Sequence, residues 1–172
     1  MTQYSKTGEI QQYSNIQPVW KFVFLYIITF SIYEIPWGHK HWKFIKEREG
    51  LQLNAWLRSW FLPFTLFWLA KRIFALAEDK GYPEKPSPGA ITALFWFFIV
   101  LVQLPDPLGY MFFFFSLFPL LTILKAANFY WEKEQPNLPI RTSWTGGEIA
   151  WTVFGVILWL FILIVAFAST EV

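Results

Sequence analysis

Apolar residues fall into long runs separated by short polar stretches, and these runs set the predicted elements. Met1 to Pro18 is polar, with one Lys and one Glu. It lacks the basic segment and small-residue cleavage site of a signal peptide, so residues 1–18 read as an extramembrane tail. Val19 to Trp37, VWKFVFLYIITFSIYEIPW, is nineteen residues, about 28 Å as a helix against a hydrocarbon layer of ~30 Å. It predicts a first span over 19–37, with Lys21 and Glu34 near its ends where they reach the headgroups. Pro36 and Gly38 are expected to stop it. Ala90 to Leu124 carries a single charge, Asp106, within Leu104-Pro-Asp-Pro-Leu-Gly109. That turn divides the stretch into antiparallel spans over 90–104 and 108–125. Pro119 is expected to kink the second of these, which then continues past the membrane to Glu134, before Pro136 and Pro139. Ile149 to Ala168 has no charge and follows Thr145-Gly-Gly-Glu148, the pattern of a capping box, so 149–168 is the last span.

Leu51 to Leu76 is harder to place. Its uncharged centre, Ser59 to Ala70, has twelve residues, about 18 Å as a helix, and Pro63 interrupts it. If the segment returns to the side it entered, Gly38–Gly89 and Lys125–Glu148 share the cytoplasmic face with twelve basic residues, leaving Lys6 and Lys21 outside. If it crosses, the division is nine against five. The excess of Lys and Arg on cytoplasmic loops favours the first arrangement, with both termini outside. The fold class is therefore all-α: an integral membrane helical bundle of four transmembrane helices plus a re-entrant or interfacial helical hairpin. Five spans result if Arg58 is accommodated within the bilayer. Lys40 to Glu49, KHWKFIKERE, reads as an interfacial helix with Trp42, Phe44 and Ile45 toward lipid. The Pro-rich stretch Gly81–Gly89 is a stiff linker within the 38–89 region. No internal repeat suggests the inverted-repeat plan of many transporters.

Composition supports lipid as the solvent. Hydrophobic residues are 55%, aromatics 22% and charged residues 15%, against about 45–50% apolar and about 25% charged in soluble domains. This excludes a soluble enzyme, a disordered tail and a nucleic-acid binder. With 14 basic against 12 acidic residues the net charge implies no polyanionic partner, and without cysteine there is no disulfide, thiolate ligand or Cys nucleophile.

Few residues carry chemistry. His39 and His41, two apart on a helix, point about 200° from one another and have no histidine on another helix to join them. They read as interfacial polar groups rather than metal or haem ligands. Glu34 is a candidate intramembrane polar residue, serving either a proton or cation path or an ordinary helix end facing water or Arg58. Arg58, Lys71 and Arg72 bracket the hairpin beside Trp56, Trp60 and Trp68. Together they form a candidate surface for anionic headgroups or a partner protein, or they are simply the charges that set topology. Asp106 reads as a turn residue and Phe112–Phe115 as a packing or lipid-facing surface. No nucleophile elbow, zinc-binding helix or phosphate loop motif occurs, and Gly146-Gly147 belongs to the cap. No catalytic residue, metal or cofactor is assigned.

From Ile32 to Arg72 the order of features is an aromatic-rich span, a Trp followed by an Ile-Lys-Glu helix, an Arg before a Pro-Phe hairpin, and a Lys-Arg-Ile exit. With Tyr-Trp-Glu-Lys at 130–133 and Gly-Glu before the last span, this resembles a group of small polytopic bacterial membrane proteins of unknown function. The resemblance implies a multi-pass protein of the bacterial cytoplasmic membrane. The group has no assigned activity, so no site residue is carried over. The expectation is a non-enzymatic accessory, scaffold or assembly component of a membrane complex, contacting lipid and other membrane proteins or itself. The alternative is a small oligomeric transporter or channel using Glu34 and Arg58.

Overall fold

The computed structural model describes residues 12–104 and 108–168, and all its regular structure is helical. Lys6 and the turn expected around Asp106 lie outside the described residues. The elements are α1 (Val19–Ile28), α2 (Glu34–Glu49), α3 (Ala55–Trp60), α4 (Leu62–Glu78), α5 (Pro88–Leu101), α6 (Leu108–Phe115), α7 (Leu117–Glu134) and α8 (Gly146–Ala168).

The single helix expected over 19–37 is two. α1 ends after ten residues, about 15 Å or half the hydrocarbon thickness, and the chain reverses through Thr29–Tyr33. Phe30 and Ser31 have φ of 48° and 63°, the left-handed region that L residues enter only when surroundings enforce it. The enforcing bonds are local. Ser31 N–H donates to the Tyr26 carbonyl at 2.8 Å, the buried Thr29 hydroxyl donates to Leu25 at 2.7 Å, and it accepts from Tyr33 N–H at 3.0 Å. Pro36 and Gly38 do not stop a helix here. Pro36 is the third residue of α2, where no intrahelical donor is required, and Gly38 lets Leu62 approach. A Cβ at Gly38 would sit 3.2 Å from a Leu62 methyl. α2 ends at Gly50, φ 66°, the usual left-handed stop.

The helix expected at Lys40–Glu49 forms, with its apolar side in the protein rather than toward lipid: Trp42 and Ile45 are fully buried. The proline signals hold elsewhere. Pro63 stands in the first turn of α4 after a break at Phe61. Pro119 stands in the first turn of α7 after a break at Ser116, so the interruption precedes the ring. α7 runs on to Glu134 before Pro136. The capping box of α8 is formed in both directions: Glu148 N–H donates to Thr145 Oγ1 at 3.1 Å, and Thr145 N–H donates to Glu148 Oε2 at 2.7 Å.

Cross-chain contacts orient the bundle. The Tyr26 hydroxyl of α1 meets Ser116 at the start of α7 at 2.7 Å, while Gln17 before α1 exchanges two hydrogen bonds with Asn128 late in α7. α1 and α7 are thus antiparallel. α8 runs parallel to α1, since Lys21 meets Glu148 and the ring of Phe30 lies 4.5 Å from that of Trp159. Between them Gly155 admits backbone contact, and a Cβ there would stand 2.6 Å from the Ile28 carbonyl oxygen.

One end of the bundle gathers most of the polar chain. There Lys40 Nζ donates to the Asn15 carbonyl at 3.1 Å, Ser14 N–H donates to Pro139 at 3.0 Å, and Lys80 pairs with Glu134 at 2.6 Å. Arg72 pairs with Glu49 at the same end. The segment before α1 therefore shares an end with the loops after α2, α4 and α7. This differs from the expectation that a full crossing at 19–37 separates the tail from those loops, because the reversal at Thr29–Tyr33 brings the chain back. Lys21 likewise turns inward instead of reaching outward. It is 1% exposed.

Two helical stretches are long and apolar enough to cross a membrane, Phe112–Glu134 and Gly146–Val165. The first is 44% buried within the protein and the second only 6%. α8 thus packs one seam, around Gly155, and leaves Ile157, Phe161, Ile164 and Phe167 exposed, as a lipid-solvated helix does.

Candidate functional site

The residues singled out in the sequence do not converge. Arg58 turns inward, its guanidinium 4.6 Å from the centre of the buried Trp42 ring, a cation–π contact. Arg72 is held by Glu49, and Lys71 stands exposed on α4. Glu34 is the half-buried first residue of α2, with no salt bridge to Arg58 among the described residues. Trp56, Trp60 and Trp68 are all exposed. Trp56 stacks on His39 with ring centres 3.9 Å apart, Trp60 lies on the same outer side of α3, and Trp68 packs edge-on with Phe67 on α4. Trp56 and Trp60 share one side of α3, Phe64 and Trp68 one side of α4 with Phe64 packed edge-on against Trp96, and the cations belong elsewhere.

What the fold does assemble is a cleft of about 1430 Å³ at the polar end, walled by the segment before α1, the outer side of α2, the end of α7 and the approach to α8. Five cationic side chains line it, Lys21, Lys40, Lys43, Arg48 and Arg141, against two carboxylates, Glu47 and Glu148. Residues 40, 43, 44, 47 and 48 follow the 3.6 period, so α2 presents them on one side. Lys21 forms a buried corner: its ammonium donates to the Ser143 carbonyl at 2.7 Å and to Glu148 Oε2 at 3.3 Å, beside the Trp144 ring at 5.2 Å. Glu148 therefore caps α8 and neutralises Lys21 together. Arg48 donates to the Tyr130 hydroxyl at 2.7 Å, and Arg141 lies over the Tyr13 ring at 5.1 Å.

His41 also lines the cleft, at 5% exposure. It packs edge-on against Trp37, and its Nε2 has no hydrogen-bond partner among the described residues. Burial, reinforced by the Lys40 charge, holds its imidazole down at about 3, so it is neutral at ordinary pH. His39 Nδ1 and the Trp37 and Trp42 indole nitrogens are likewise without a hydrogen-bond partner among the described residues. Chemically the cleft offers ammonium, guanidinium and imidazole groups for oxyanion binding. Among the described residues no group of three or more His, Asp or Glu is placed to hold a metal ion.

Sequence reasoning missed this site because its walls are separated by more than a hundred residues. The available signal was Lys21, a lone cation inside an apolar run, together with Glu148, a lone acid before another. Comparison with protein-family models, curated proteins and solved structures finds no match.

Proposed function

We propose that this is an integral protein of a bacterial cytoplasmic membrane that acts without catalysis, as an accessory or assembly component of a membrane complex. The observation that carries this reading is the set of exposed aromatic side chains on α3 and α4. Trp60 and Phe64 are 66% and 64% exposed, flanked by Trp56 and Trp68. Tryptophan is the residue most enriched among energetically dominant interface anchors, and although Trp56 stacks on His39 and Phe64 meets Trp96 edge-on, each of these rings keeps half or more of its surface exposed among the described residues. α8 supplies the membrane anchorage that such a role needs. The transporter alternative gains no support from geometry, since Glu34 and Arg58 are not joined.

The test is purification in mild detergent at native expression level. The protein is expected to migrate in a discrete larger assembly, and Trp60→Ser with Phe64→Ser is expected to release it. A wild-type chain that runs alone under these conditions overturns the reading.

A further inference from the structure

On the membrane reading proposed above, the polar cleft falls at the level of the headgroups. Trp20 and Trp144 stand at its edge, exposed and packed edge to face at 5.6 Å. Lys21, beside them, and Glu148, at the start of α8, both line the cleft. The uncharged run of α8 begins at Ile149. Amphipathic rings at the start of an apolar helix mark the interface belt. Inside that belt the lining carries an excess of three positive charges, and among the described residues Lys21 is the cation that pairs with a carboxylate of the cleft at salt-bridge distance. Lys40 donates to the Asn15 carbonyl, and Lys40, Lys43 and Arg141 are exposed. The buried His41 nitrogen adds a neutral polar group without a partner among the described residues. The volume exceeds the ~300–1,000 Å³ of ordinary small-ligand pockets, room for a phosphate group with a glycerol-sized substituent.

We infer that this cleft binds a phosphate group, presented either by an anionic phospholipid headgroup at the membrane surface or by a soluble phosphoester, with Lys40, Lys43 and Arg141 as its cationic contacts. The lipid source rests on the membrane reading above, and the phosphate chemistry does not.

The full-length protein, solubilised in mild detergent, is titrated with phosphatidylglycerol, phosphatidylcholine and glycerol phosphate, and bound ligand is read by native mass spectrometry. Each cation near an anionic headgroup contributes about 1 kcal/mol, so Lys43→Gln with Arg141→Gln is expected to weaken phosphatidylglycerol binding about 25-fold. Lys43→Arg with Arg141→Lys retains it, as does Lys85→Gln, remote on the linker. Both altered residues are exposed, so folding is retained, and an unchanged melting temperature checks this. Phosphatidylglycerol binding that glycerol phosphate fails to displace identifies the headgroup. Displacement at equal affinity identifies a soluble phosphoester. Equal binding of phosphatidylcholine and phosphatidylglycerol overturns the inference, as does a double variant that binds like wild type or a loss confined to Lys71→Gln. Carbonate washing of membranes separates the two readings. A protein released by carbonate ends the membrane assignment, while the glycerol phosphate arm still reports on the cleft.

Discussion

Lys21 shows how a single residue changes meaning between sequence and fold. In the sequence it is a cation near the end of an apolar run, free to snorkel outward; in the structure it is fully enclosed and its counter-charge is 127 residues away. Removing one member of a buried pair strands the other, so Lys21→Met is expected to destabilise by about 3–5 kcal/mol. Adding Glu148→Gln is expected to recover part of that loss, as a double-mutant cycle of thermal melts checks; strict additivity counts against coupling. His41 makes a pH prediction. Its folded pKa of about 3 lies below the ordinary value of 6.5, so on acidification the unfolded chain takes up the proton first. Stability from this residue is complete above about pH 6.5 and declines progressively as pH falls toward 3. Melting temperatures of wild type and His41→Gln are expected to converge between pH 7.5 and 4.5, and parallel curves refute the assignment. Gly155 tests close packing. A methyl there meets the Ile28 carbonyl, so Gly155→Ala is expected to cost about 1–3 kcal/mol despite its better helix propensity.

Which elements were legible depends on whether their boundary signals were local. The α8 cap, the interruptions near Pro63 and Pro119, though not that each proline opens a new helix, and the end of α7 before Pro136 were readable because each rests on groups within a few residues. The reversal after α1 was not. It uses Thr29, Phe30 and Ser31, with neither Gly nor Pro to mark it, and its left-handed residues are sustained by a threonine hydroxyl and by Phe30 packing against Trp159 and Phe113. The placement of α2 was equally hidden, because an amphipathic helix offers the same pattern to lipid and to a protein core. Ser31→Gly is expected to raise stability by a few tenths to about 1 kcal/mol, since glycine adopts φ 63° without a Cβ clash. A lower melting temperature instead would mean that the Ser31 side chain contributes more than its backbone strain costs. The candidate site was illegible for a third reason: its cations are individually ordinary, and only the reversal brings α2 back beside the segment before α1.

For the whole molecule, the reversal gathers the termini of several helices at one end. Gln12 lines the cleft with Arg141, Asn137 follows Gln135 on its rim, Gly50 follows the Glu49–Arg72 pair, and Ser87 closes the linker that begins beside the Lys80–Glu134 pair. Single cysteines at these four positions, in a chain that has none, are expected to respond alike to an impermeant reagent on intact cells. A Gln12 site that labels while Asn137 does not would refute the arrangement. Among the described residues that end holds Lys21, Lys40, Lys43, Arg48, Arg72, Lys80 and Arg141. The return of α1 also bears on synthesis. Its partners are Ser116, Asn128, Glu148 and Gly155, all translated long after it. At ~5–20 residues per second the interval is on the order of ten seconds. During that time the first helix made has Tyr33 and Trp37 to pack on but neither its counter-charge nor its seams with α7 and α8, and a ribosome that stops short of Glu148 leaves Lys21 without its carboxylate.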